Sequence, residues 1–132
     1  MTSHIMREIK FRGKRVNDCE WVYGDLLRIH GVPYIYPDPA PNGWNDYEVI
    51  PPDTVGQFTG LLDKNSKKIY EGDIVANDFG NAYIVNMAVE WCTDGYWALH
   101  EIDGDDTMHF VADYLKEIEL IGNKYDNPEL TK

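Results

Sequence analysis

Apolar and polar residues alternate along this chain in short runs broken by turn residues, and no stretch keeps a helical period for long. The clearest run is Tyr83 to Trp91. Tyr83, Val85, Met87, Val89 and Trp91 alternate there with Ile84, Asn86, Ala88 and Glu90, which predicts a strand with one face on the core. Thr93-Asp94-Gly95 predicts a hairpin turn. Tyr96 to Ile102 returns, with Trp97 and Leu99 on one side and Tyr96, Ala98 and His100 on the other. Near the N-terminus, Ile9 to Val16, interrupted at Gly13, and Glu20 to Leu27 predict two further strands joined through a turn at Asn17-Asp18. In the second of these, Trp21, Tyr23 and Asp25 share one face, and Val22, Gly24 and Leu26 share the other. His30-Gly31 turns the chain into Val32 to Tyr36, and Tyr47 to Ile50 is a brief strand closed by Pro51-Pro52. Between them, Pro37 to Asp46 holds three prolines and a glycine, so it is a loop, long enough for a functional role.

The segment Gly56 to Val75, GQFTGLLDKNSKKIYEGDIV, is the densest in structural signals. Phe58 to Leu62 runs into the turn Asp63-Lys64-Asn65-Ser66, Lys67 to Glu71 returns, and Gly72-Asp73 turns again into Ile74 to Ala76. Ser66 stands where positive φ is needed, and a left-handed non-glycine residue costs roughly 1–2 kcal/mol. Asp103 to Thr107 reads as an acidic loop, Phe110 to Leu115 as one helical turn, Glu117 to Ile121 as the closing strand and Asn123 to Lys132 as a polar tail. The fold expected is mainly β: an N-terminal strand segment over residues 6–56, with its Pro-rich loop at 37–46, and a small SH3-like barrel over 57–122 that leaves few exposed edges. Met1 to Ile5 read as an expression remnant or an upstream start, and 123–132 as a C-terminal tail.

Composition narrows the function. The 132 residues are 43% hydrophobic and 13% aromatic, enough to build a core. No apolar run approaches the ~18 residues of a membrane span, and no secretory leader is visible, so a cytoplasmic protein without a membrane partner is expected. Cys19 and Cys92 are too few for a disulfide framework and lack metal-site spacing. The net charge of −11 is uneven: residues 1–30 carry six basic and four acidic side chains, whereas residues 71–123 carry twelve acidic ones and only Lys116. The acidic half repels nucleic acid and anionic membranes. Arg7, Lys10, Arg12, Lys14 and Arg15 form the one foothold for phosphate, but a solvated hairpin edge guarded by lysine and arginine is the simpler reading of them.

Several blocks carry a family resemblance. Met6 to Arg15 (MREIKFRGKR), Trp21 to Leu26 (WVYGDL), Val55 to Leu61 with Asp63 to Val75 (VGQFTGL and DKNSKKIYEGDIV), and Glu117 to Leu130 (EIELIGNKYDNPEL) resemble, in order, the YopX family of phage and prophage proteins. Ser66 departs from the glycine expected in the central turn. The resemblance implies a phage-encoded, mainly β protein with an SH3-like barrel in its C-terminal half. It implies no reaction and supplies no catalytic residue.

The residues themselves offer little chemistry. Asp103-Gly104-Asp105-Asp106, with Glu101, is the best metal candidate, but the twelve-residue calcium loop and its final Glu are absent, so a solvated acidic turn is the simpler reading. His100 and His109 flank that loop without a fixed helical spacing. No G-x-S-x-G elbow and no phosphate-cradling glycine loop are present, and Cys92 with either histidine lacks a recognisable base arrangement. No catalytic residue, cofactor or metal ligand is therefore assigned. Trp44 stands out in the Pro-rich loop, where no strand buries it; an exposed tryptophan is a typical interaction anchor, and packing back over the barrel mouth is the simpler reading. The expected interaction surface comprises Trp44, Tyr47, Arg12 and Lys14. The function expected is a non-enzymatic accessory protein that binds a protein partner or itself. The alternatives are a nucleic-acid-directed role through the basic N-terminal hairpin and an acidic DNA-mimicking inhibitor.

Overall fold

The computed structural model describes residues 7–38, 48–78, 84–104, 106–109 and 116–131. Among the described residues, eleven strands form two antiparallel sheets and no α-helix occurs. The strands are β1 (Phe11–Lys14), β2 (Trp21–Ile29), β3 (Val32–Pro37), β4 (Glu48–Val49), β5 (Gly56–Leu62), β6 (Lys68–Tyr70), β7 (Asp73–Asp78), β8 (Ile84–Cys92), β9 (Tyr96–Glu101), β10 (Thr107–His109) and β11 (Ile118–Asn123). One sheet runs β4-β3-β2-β1-β5-β6 and the other β10-β9-β8-β7-β11. The chain divides into two units, Met1–Gly60 and Leu61–Lys132, a few residues beyond the boundary expected at 56.

The mainly β expectation holds, but the second sheet is not closed into a barrel. β10 and β11 sit at its opposite edges, and no pairing joins them among the described residues. β10 begins at Thr107, the last residue of the expected acidic loop. The helical turn predicted at Phe110 to Leu115 falls outside the described residues.

In the N-terminal unit, β2 and β3 pair from Gly24↔Pro37 to Ile29↔Val32. His30 and Gly31 both have positive φ, +52° and +80°, which sets the twist a two-residue hairpin requires. Val22, Ile35 and Ile50 make the buried cluster on one face of this sheet, with Phe11, Leu26 and Val55 around it. Gly24 sits in mid-strand because β3 comes so close: a Cβ there would lie 1.9 Å from the Tyr36 carbonyl oxygen.

In the C-terminal unit, Ile69, Val75, Met87, Val89, Leu99 and Ile118 form the core, flanked by Leu61, Val85, Trp97, Met108 and Leu120. Each fully buried side chain of this kind contributes about 1.5–3 kcal/mol. The alternation in β8 thus holds for Met87 and Val89. Trp91, expected on the core, is 51% exposed and meets Trp97 edge-on at 5.0 Å, because it stands at the hairpin end of the strand. The left-handed turn expected at Ser66 is present, with φ of +64°. Asp63 organises that turn. Its Oδ1 accepts the backbone N–H of Asn65 at 2.8 Å and of Lys67 at 2.9 Å, and its Oδ2 accepts that of Leu120 at 2.9 Å. The Lys64 N–H also donates to the Ile118 carbonyl at 2.9 Å, so the turn caps the outer edge of β11. Beyond β11, the polar tail turns at Asn123, whose Oδ1 accepts the N–H groups of Tyr125 and Asp126, and continues into a 3₁₀ helix, Pro128–Thr131.

Asn77 lies in β7 between Val85 and Ile118, fully buried, and among the described residues neither atom of its amide has a hydrogen-bond partner. A buried polar group without a partner costs about 1–3 kcal/mol. Replacing it with the near-isosteric leucine is expected to raise the unfolding free energy by about 1–2 kcal/mol in urea titrations. Unchanged or lowered stability would show that the amide is satisfied.

Candidate interaction face

The strand pairing places residues with odd numbers in β2 on the face opposite the buried Val22 cluster. The rows across that face are Lys14–Trp21, Arg12–Tyr23, Asp25–Tyr36, Leu27–Tyr34–Val49 and Ile29–Val32. An antiparallel sheet with one wet face should alternate apolar and polar residues. Here the second face is apolar as well. Ile29 is 47% exposed, Val49 46% and Val32 40%, and Tyr23 and Leu27 are also exposed. Tyr34, Tyr36 and Trp21 are half-buried beside them. Contiguous exposed apolar surface of this kind marks interaction sites more often than isolated hydrophobic residues do.

The basic residues take a different part from the one expected. Arg12 is 5% exposed, and its guanidinium lies 4.4 Å from the centre of the Trp21 ring. The Lys14 ammonium lies 5.5 Å from the same ring. Arg12 is thus a packing residue, stacked on an aromatic side chain that it helps to cover. Arg15 is engaged by Asp18 at 3.3 Å and approaches Glu48 at 3.9 Å. Of the five basic residues in the expected phosphate foothold, Arg12 is the one that is buried. Arg12 and Lys14 nevertheless share the face with the exposed aromatic and aliphatic side chains. Trp44 and Tyr47 lie outside the described residues; Tyr47 immediately precedes β4 in sequence.

The residues that form most of this face, Leu27, Ile29, Val32 and Val49, were not singled out from the sequence. The available signal was the second apolar phase of Glu20 to Leu27 and its continuation to Ile29.

The other candidates do not assemble into a site. His100 Nδ1 is 2.7 Å from Thr107 Oγ1, and His109 stacks on Tyr96 with ring centres 3.8 Å apart, so each histidine has a different neighbour. The Tyr96 phenol is pushed above its ordinary value, first by its hydrogen bond with the Cys92 side chain and then by burial and the nearby charges of Cys92 and Asp94. Cys19 is exposed and Cys92 half-buried, both as free thiols. Beside the acidic loop, Ile84, Val85, Asn86, Glu101, Asp103 and Gly104 line an open hollow of about 250 Å³. Asp105 is outside the described residues, and among those described no three His, Cys, Asp or Glu side chains are gathered to hold a metal. No helix among the described residues is long and apolar enough to cross a membrane.

A family model described as YopX protein matches residues 10–132. The fold is similar to the crystal structure of protein EF1440 from Enterococcus faecalis, with a TM-score of 0.58 and 22% identity over 96% of this chain and 100% of that one. At that identity the likeness concerns the fold alone. No curated protein matches the chain significantly.

Proposed function

Because the chain belongs to the YopX family, we propose that it is a phage- or prophage-encoded accessory protein of the bacterial cytoplasm, without enzymatic activity, that works by binding another polypeptide through the outer face of its N-terminal sheet. The observation that carries this reading is the sheet with two apolar faces. One face holds the Val22–Ile35–Ile50 cluster, and the other leaves Leu27, Ile29, Val32 and Val49 in water. Aliphatic surface of this extent loses about 25 cal/mol of stabilisation for every Å² left exposed, which a partner covering it would recover. Tyr23, Tyr34 and Tyr36 add rigid aromatic contact area, the residue type that dominates binding hot spots. An SH3-like relation of the C-terminal strands, without barrel closure, is part of this proposal. Its support is the run of short antiparallel strands and the way Asp63 and Lys64 bond the edge of β11.

A photoreactive amino acid placed at Leu27 in bacteria expressing the protein tests the reading. Covalent adducts to a polypeptide are expected from Leu27 and not from the control position Ile84, which is the more accessible of the two. Adducts in equal yield from both positions, or from neither, would refute it.

A further inference from the structure

We propose that the polypeptide covering this face is a second copy of the same chain, packed sheet against sheet about a two-fold axis; this rests on the interaction reading above. Two observations favour a copy over another partner. The first is shape. The exposed side chains Leu27, Ile29, Val32 and Val49 lie on three adjacent strands, and Tyr23 and Tyr34 extend the patch in register. Such a broad, twisted sheet face is best matched by another face of the same twist, and two sheets of one hand pack aligned about 10 Å apart. A copy supplies that twist automatically, and a two-fold axis sets the aliphatic patch on itself.

The second is charge. Residues 1–60 carry six basic and eight acidic side chains, against six and fifteen in residues 61–132. The N-terminal unit is therefore where two chains of net charge −11 can approach with least repulsion. The face itself carries both signs, Lys14 in β1 and Asp25 in β2. No single-sign field on it selects a strongly basic or strongly acidic partner. At physiological salt the remaining like-charge repulsion is screened beyond about 8 Å.

This balance gives a distinctive signature. Association through apolar surface between two acidic chains tightens as salt is raised, because repulsion is screened while burial is not. Binding of a basic partner weakens under the same change.

Sedimentation equilibrium of the full chain, from micromolar to sub-millimolar concentration and at low and high salt, tests the proposal. The expected result is a reversible doubling of the 15.2 kDa mass, stronger at high salt. Ile29→Asp and Val49→Asp should each weaken dimerisation at least tenfold. Both positions are exposed, so the circular dichroism spectrum and thermal midpoint of the monomer should stay as in the unsubstituted chain. Ile84→Asp, 66% exposed and in the other unit, should leave dimerisation unchanged. A strict monomer throughout, dimers unaffected by the two face variants, or association that weakens with salt would each overturn it. The crosslinking experiment separates the two proposals. Leu27 adducts to a different protein with a monomeric chain remove only the self-association, whereas no adducts and a monomer remove both.

Discussion

Asp63→Ala is expected to lower the unfolding free energy of the C-terminal unit by about 3–5 kcal/mol, the sum of desolvation costs for the backbone donors it leaves unpaired. The carboxylate accepts three N–H groups and is only 5% exposed. Two of the donors are local and shape the turn around Ser66. The third, Leu120, lies 57 residues away, so the substitution unties the turn from the edge of β11 as well. Asp63→Asn keeps one carbonyl oxygen and should lose roughly half as much. Urea denaturation of the three proteins measures the series; a loss below about 1 kcal/mol for alanine would show that water replaces the carboxylate at little cost.

The same residue predicts a dependence on acid. Burial alone would raise the Asp63 carboxyl, but the N–H groups of Leu120, Lys67 and Asn65 and the charge of Lys67 outweigh it and hold the carboxyl below its ordinary value of 3.8. A group whose value is lower folded than unfolded binds fewer protons in the native state. Its stabilisation is therefore complete above the unfolded value and is lost as pH falls from there through the folded one. The stability gap between the natural chain and Asp63→Asn should accordingly narrow below about pH 4 and stay constant from there to neutrality. A gap independent of pH would mean that the carboxylate charge contributes nothing.

Gly24→Ala is the second large effect, about 3 kcal/mol or more, because the new methyl group meets main chain and not a side chain that can rotate away. The Cβ would lie 1.9 Å from the Tyr36 oxygen, 2.9 Å from its carbonyl carbon and 3.0 Å from the Asp38 nitrogen. Relief requires β3 to move away from β2, and with it the ladder that aligns Leu27, Ile29, Tyr34 and Val32 on one face. The variant should show a lowered thermal midpoint and lose any association through that face. Asp25→Asn, next in sequence but exposed, should stay within about 0.5 kcal/mol of the natural chain. Equal stability of Gly24→Ala and the natural chain would show that the two strands separate at no cost.

How much of this was legible beforehand differs by element. The turn at Asp63 to Ser66 was readable because its determinants are local: an aspartate that bonds nearby N–H groups and a residue forced to positive φ. Its hold on Leu120 was not, since nothing in the local pattern specifies a partner so far along the chain. The alternation in β2 was readable from Trp21 to Leu26, and the structure places both faces as expected. Arg12 was misassigned for a related reason. A basic residue in a basic run suggests a solvated charge, yet the strand register sets it across from Tyr23 and over Trp21.

By itself, then, the sequence determined the strand-and-turn character of the chain, the position of most turns, the buried phase of β2 and β8, and the family. Those properties depend on the period of side-chain direction and on backbone preferences within a few residues. Only the tertiary structure decided that the second sheet stays open, that Asp63 clasps β11, that Arg12 is packed away and that Leu27, Ile29, Val32 and Val49 share one exposed face. Each of these depends on which strands become neighbours and in what register, and register is set by pairing across the sheet.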